Sequence, residues 1–286
     1  MENEGRQSGI QILALLALLL LAAACFAADS RYRLELTRYE LYAETLPEAW
    51  EGFRIVQLSD LHGSCFGREN ERLIRLVRQQ APDLIALTGD FAGGPEDLAS
   101  LESLLRGLEG LAPVYYVSGN HEWAGGVMEA VRQLTDRYGV HRLENAWEIL
   151  ERDGARMVIA GVEDPLARAD QIRPDALAAQ LRQSCPEDFV LWLGHRNYWV
   201  KNYPKLPVDL ILSGHAHGGV VRLPGLGGLL NNDHSVPAVY DCGVYESGSY
   251  RMVVSRGLGN SVPVPRLFNR PEVVCLVLHS GKANDA

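Results

Sequence analysis

An α/β domain of layered sheets and helices is the fold class that this 286-residue sequence predicts. Three observations predict it. Short apolar strands alternate with segments of helical spacing from residue 53 to residue 217. Beyond that the chain turns rich in glycine, proline and β-branched residues, which reads as further strands and loops. Five of the apolar strands also end in Asp, Asn or His, and in α/β sheets ligands collect outside the C-terminal ends of strands.

The elements follow in order. Ile12 to Ala28, ILALLALLLLAAACFAA, runs seventeen residues without a charge or strong polar group, which predicts an N-terminal hydrophobic helix. Three readings fit it: a retained anchor through residues 10–28, a cleaved secretory signal, or a lipoprotein signal ending at Cys25. Ala22, where such signals carry leucine, makes the last the weakest. Arg6 alone precedes the segment while Arg31, Arg33 and Arg38 follow it, so the positive-inside count leans towards a cytoplasmic domain rather than plain export. The domain itself is expected over 31–280, with 281–286 as a tail.

Strand alternation is expected over 31–42, 53–62, 82–90, 113–121, 188–195 and 208–217, and helices over 70–80, 95–109, 126–138 and 177–184. Asp153-Gly154 joins two further strands within 146–164 as a hairpin.

Composition narrows the function. With 27 Lys and Arg against 36 Asp and Glu, the formal charge is −9, which argues against nucleic acid as the main partner. The five cysteines are scattered, with no CxxC pair, so neither a disulfide framework nor a thiolate metal site is expected.

The strand ends carry Asp60 and His62, Asp90, Asn120 and His121, His195, and His215 with His217. A lone histidine after a strand is more often a hydrogen-bonded structural residue than a ligand. Five such groups at five strand ends argue otherwise, because chance would scatter them. Imidazole, carboxylate and amide donors without thiolates suit zinc, manganese or iron, and there is no all-oxygen cage for calcium. Along an extended strand end, residues i and i+2 share a side, so His215 and His217 are expected to enter one site together.

The groups SDLHG (59–63), TGDF (88–91), SGNHEW (118–123), LGH (193–195) and SGHAHGG (213–219) resemble, in order, the motif series of the calcineurin-like metallophosphoesterases. GGVVRLPGLG (218–227), VSRGLGNS (254–261) and NRPEV (269–273) are similar to a bacterial membrane-associated branch that includes phosphodiesterases and UDP-2,3-diacylglucosamine pyrophosphatases. The resemblance covers roughly 53–277. It implies a four-layer fold, a double β-sandwich flanked by helices. It also implies two divalent ions (Mn2+, Zn2+ or Fe2+): Asp60, His62 and His217 on the first, Asn120, His195 and His215 on the second, and Asp90 bridging both. His121 is implied as the catalytic group beside the phosphate, with Asn120 also touching substrate. The implied reaction is in-line hydrolysis of a phosphodiester or pyrophosphate by a hydroxide bridging the ions; membrane attachment points to a lipid-linked substrate, a general phosphodiesterase is an equal alternative, and a protein phosphatase is a weaker one. Two divalent ions outweigh two carboxylates, and the neutral amide of Asn120 preserves that positive remainder for an anionic ester. A non-catalytic module binding lipid or a partner on the same scaffold is the alternative.

One departure stands out: RNYW follows His195, where relatives carry a polar residue and a proline. Arg196 is thus a candidate phosphate contact, set against the commoner fate of a solvated arginine. His141, His234 and His279 fall outside every motif and are expected at the surface or in structural roles. LPGLGGLL (223–230) is expected as a loop rimming the site, with contact to lipid as a further reading. Trp123 and the aromatics of 240–250 are candidates for a substrate pocket, though core packing is their more usual fate. Ser59, Ser118 and Ser213 precede ligand motifs, but no Ser-His-Asp order recommends a nucleophile.

Overall fold

The computed structural model describes residues 2–168, 171–230 and 238–282. His234 lies outside them. Helix α1 (Glu2–Tyr32) comes first, so the strand expected from residue 31 starts later, as β1 (Glu35–Ala43). Then come β2 (Phe53–Leu58), α2 (Glu71–Gln79), β3 (Leu84–Leu87), α3 (Leu98–Leu108), β4 (Val114–Tyr116), α4 (Asn120–Ala124), α5 (Met128–Arg137) and β5 (His141–Arg142). The second half holds β6 (Ala146–Arg152), β7 (Ala155–Gly161), α6 (Pro174–Ser184), β8 (Phe189–Leu193), α7 (Trp199–Asn202) and β9 (Leu210–Ser213). Short strands β10 (Arg222–Leu223) and β11 (Gly227–Gly228) precede β12 (Gly243–Glu246), β13 (Arg251–Val254) and β14 (Glu272–Ser280).

Two six-stranded sheets result, ordered β1-β14-β2-β3-β4-β5 and β12-β13-β9-β8-β7-β6. β2 to β5 run parallel, as do β7, β8, β9 and β13. Both faces of the central strands are buried, which is why those strands read as unbroken apolar runs. In β8, Phe189, Leu191 and Leu193 enter a core shared with Ile55, Leu84 and Tyr115 of the other sheet, while Val190 and Trp192 turn to the opposite core. That outer core holds Leu177 and Leu181 of α6 and Trp199 of α7. A third cluster packs Val56, Leu58 and Ile85 against Leu73, Leu104 and Val131 of α2, α3 and α5. The layers are helix, sheet, sheet, helix, as a double β-sandwich requires.

Other expectations resolve in this core. Tyr240, Tyr245 and Tyr250 pack with the outer cluster of the second sheet. Trp123 packs on the first and donates to Ser118 Oγ at 2.9 Å. His279 lies between Glu40 and Glu51, and His141 meets Glu148, both in surface ion pairs.

Candidate metal centre

The expected ligands gather from both sheets. β2, β3 and β4 of the first sheet lead to Asp60, His62, Asp90 and Asn120; β8 and β9 of the second lead to His195, His215 and His217. Ligand atoms of Asp60, His62, Asp90 and His217 all lie within 4.8 Å of one another, and so do those of Asp90, His195 and His215. Asp90 belongs to both groups. A buried carboxylate between two clusters of nitrogen and oxygen donors is the arrangement that a pair of cations needs.

Backbone conformation explains why these residue types occupy these turns. Asp60, His62, Asp90, His215 and His217 all have φ between 44° and 69°, the left-handed region. Asp, Asn and His are enriched there among non-glycine residues, and such conformations concentrate at functional sites. The expectation that His215 and His217 project from an extended strand is therefore corrected. β9 ends at Ser213, and a left-handed turn, followed by a 3-10 turn from His217, aims both rings inward. Asn120 and His121 likewise open helix α4 rather than close a strand.

Two glycines permit the crowding. A Cβ on Gly119 would lie 2.1 Å from Asp90 Oδ1, and one on Gly214 would lie 1.9 Å from Ser59 Oγ and 2.3 Å from Asp60 Oδ2.

Hydrogen bonds then fix each group. The His215 amide donates to Asp60 Oδ1 at 3.1 Å, tying the two sheets together at the centre. Gln57 reinforces that tie from below, donating to the Ser213 carbonyl at 2.8 Å. His195 Nδ1 sits 2.8 Å from the Thr88 carbonyl, which can only accept, so Nδ1 carries a proton and Nε2 faces the centre. That Nε2 is 3.0 Å from Asp90 Oδ2 and 3.1 Å from His215 Nδ1. The His121 amide donates to Asp90 Oδ1 at 2.8 Å; its ring, edge-on to His62, is 37% exposed and lines the opening.

Several supporting residues were not anticipated. Glu122 accepts from the amides of Asp90, Phe91 and Gly119 at 3.1, 2.6 and 2.9 Å, locking two ligand loops together. It stands inside SGNHEW, so the sequence did mark its place. Asp164 follows β7 and was legible by the same strand-end rule as the ligands. Its buried carboxylate grips Arg196 through two hydrogen bonds, at 2.6 and 3.1 Å, and Arg196 Nη1 reaches to 3.2 Å from His215 Nε2. Arg196 is thus a clamped cation beside the centre, not a solvated one. Asn269 Nδ2 donates to the His217 carbonyl at 2.7 Å, and Ser261 Oγ lies 3.2 Å from His217 Nε2.

Electrostatics divide the histidines. Burial disfavours the charged form of His62 and His217 and lowers each to about 4, against the pull of Asp90 and Asp60. Burial, then the charge of His195, holds His215 well below its ordinary value. At His195 burial is outweighed by Asp90, and the imidazole is raised to about 10. Burial, reinforced by the charge of Asp90, raises Glu122 to about 7. Among the described residues, buried His62 Nε2, His217 Nδ1 and Asn120 Oδ1 have no hydrogen-bond partner. Orphaned buried acceptors are costly unless something binds them, so this donor set fits divalent cations.

Comparison with known proteins accords with this geometry. The family model for calcineurin-like phosphoesterases matches residues 53–219. An uncharacterized metallophosphoesterase of Bacillus subtilis, YkuE, is 29% identical over 255 residues, covering 87% of this chain and 87% of the relative. Phosphodiesterase YaeI of Escherichia coli is 29% identical over 236 residues, covering 79% of this chain and 82% of the relative. A zebrafish (Danio rerio) transmembrane protein with a metallophosphoesterase domain is 28% identical over 253 residues; the match covers 84% of this chain and 56% of that protein.

Proposed function

The chain belongs to the calcineurin-like phosphoesterase family, and on that premise we propose that it is a membrane-anchored two-metal hydrolase of phosphodiester or pyrophosphate bonds. Its substrate in this reading is lipid-linked, with a sugar-nucleotide lipid such as UDP-diacylglucosamine as the sharpest form. The observation that carries the reading is the membership of Asp90 in both ligand clusters.

Asp60, His62 and His217 would hold one ion, Asn120, His195 and His215 the other, and Asp90 both. When bound, such a pair supplies Lewis acidity and a water whose pKa is lowered. The protein's own groups do the rest. The Thr88 carbonyl fixes the ring of His195, so this ligand needs no reorientation. His121, held through its amide on Asp90 and half-open to solvent, is positioned to contact the phosphate and give a proton to the departing oxygen. Arg196, clamped by Asp164, offers a fixed cation to a phosphate oxygen at the second cluster. Burial around Asp60, Asp90 and the histidines keeps the site dry and strengthens each charge interaction.

For attachment, the support is the apolar stretch Leu13–Tyr32, of which 6% is buried against the protein. Its length and composition suit a bilayer span, and the domain would run over 31–280. The test is a panel of lipid pyrophosphates and soluble diesters, with metal content measured on the same samples. Chelation should abolish turnover and Mn2+, Zn2+ or Fe2+ restore it. Protein that carries no metal and hydrolyses nothing under any divalent ion would sink the proposal. Metal-loaded protein that binds bis-p-nitrophenyl phosphate without turning it over would favour the non-catalytic alternative.

A further inference from the structure

Among the described residues of the domain beyond α1, six of the ten exposed large apolar side chains lie in two neighbouring segments; Ile149, Leu166, Val239 and Val244 are the others. The β10–β11 hairpin presents Leu223, Leu226 and Leu230, and the strap 261–268 presents Val262, Val264 and Phe268. Leu226 is 65% exposed and Phe268 is 56% exposed. Large apolar side chains clustered in water mark a contact surface.

The two segments are joined to each other, to α1 and to the metal centre. Val221 bridges Leu267, and the Arg222 amide donates to the Leu267 carbonyl at 3.0 Å. Phe268 meets Phe26 of α1 with ring centroids 4.6 Å apart, and Arg270 pairs with Asp29 at 2.7 Å. The apolar helix therefore leaves the domain beside this surface. Both ends of the strap rest on His217: Ser261 on its ring and Asn269 on its carbonyl. Neither 222–230 nor 261–270 contains an Asp or Glu, although the whole chain carries a formal −9. Anionic headgroups would meet no carboxylate from these segments.

We propose that the hairpin and the strap form an apolar rim that docks into the lipid interface beside α1, so that the metal centre opens at the bilayer surface and draws its substrate from there. This deepens the proposed function and rests on reading α1 as an anchor. The helix brings the rim to the interface, and the rim in turn fixes which face of the domain meets lipid. Without the rim, a single helix would leave the domain free to swing. The committed occupant is the lipid interface itself, because the apolar surface adjoins the apolar helix directly through the Phe26–Phe268 contact.

The test uses the full chain reconstituted in vesicles of phosphatidylethanolamine and phosphatidylglycerol, part of the acyl chains brominated to quench tryptophan. Four single variants are compared with the unsubstituted chain: Leu16→Trp on α1, Leu226→Trp and Val264→Trp on the rim, and Ile149→Trp on β6. Added quenching is expected at residues 16, 226 and 264 and not at 149. Separately, Leu226→Asp with Val264→Asp should leave hydrolysis of soluble bis-p-nitrophenyl phosphate within about twofold, yet lower hydrolysis of a vesicle-embedded lipid pyrophosphate about 10-fold or more, as loss of apolar insertion implies. Quenching at 16 but none beyond the Ile149→Trp level at 226 and 264 overturns the rim and leaves the anchor reading standing. No quenching at any position overturns both. Chains that pair through this surface and separate on Val264→Asp, without quenching at 264, overturn the rim in favour of a second copy as occupant.

Discussion

The two halves of the candidate metal centre share Asp90 but are provisioned differently. In the half formed with Asp60, His62 and His217, two buried ring nitrogens have no partner among the described residues, and burial disfavours the charged form of both imidazoles. In the other half, His195 already lies against Asp90 and His215, and His215 in turn meets Arg196. Among the described residues, buried Asn120 Oδ1 and Asp90 Oδ2 have no hydrogen-bond partner there. The first half keeps two ring nitrogens open to an ion, although Ser261 meets His217 Nε2 and the His215 amide meets Asp60. The second can satisfy most of its own polar groups, so an ion entering it must displace contacts already made. Unequal affinity for two ions follows from hydrogen bonding alone.

The largest test removes what the halves have in common. Asp90→Asn should release both ions and lower hydrolysis by more than about 100-fold, measured as metal content and turnover on the same samples. If one ion stayed bound at full strength, the carboxylate would not be shared. Acidification should separate the halves. His195, raised to about 10, holds a proton that an incoming ion must displace, so the second site weakens progressively as pH falls below that value. His62 and His217, lowered to about 4, take up protons only near that pH. Between about pH 10 and about pH 4 the chain should therefore pass from two ions to one, and elemental analysis after equilibrium dialysis would read the step. Loss of both ions together would break the comparison.

Asp164→Asn comes next. Loosening Arg196 beside His215 should cost about 10–100-fold in activity while the ion at Asp60 stays bound. Equal weakening of both ions would mean that Arg196 serves the whole centre. Smallest is Gly119→Ala, whose methyl would press on Asp90. It should cost about 1–3 kcal/mol of stability, read as a fall in Tm by calorimetry.

Much of this was legible in one dimension. The strand runs announced themselves because both faces of β2, β3, β8 and β9 are buried, leaving little polar alternation to confuse them. Asp60, Asp90, His195 and the paired histidines stood out because polar residues interrupt apolar strands so abruptly. The division of the strands between two sheets was hidden, since pairings such as β13 with β9 join segments far apart in sequence. Turn geometry was hidden as well: nothing in GHAH distinguishes an extended end from two left-handed residues. The Asp164–Arg196 clamp joins residues 32 apart and required the sheet to be assembled before either side chain could be understood.

The division between sheets has a consequence for the protein's mechanics. Three ligand-bearing strands belong to one sheet and two to the other, with the inter-sheet core beneath them. Each proposed ion would draw ligands from both sheets, so the spacing of the ligands around it is a gauge of how thickly that interior is filled. Trimming a leucine far below the opening, or squeezing the molecule with hydrostatic pressure, would alter catalytic spacing without touching any group that meets the phosphate.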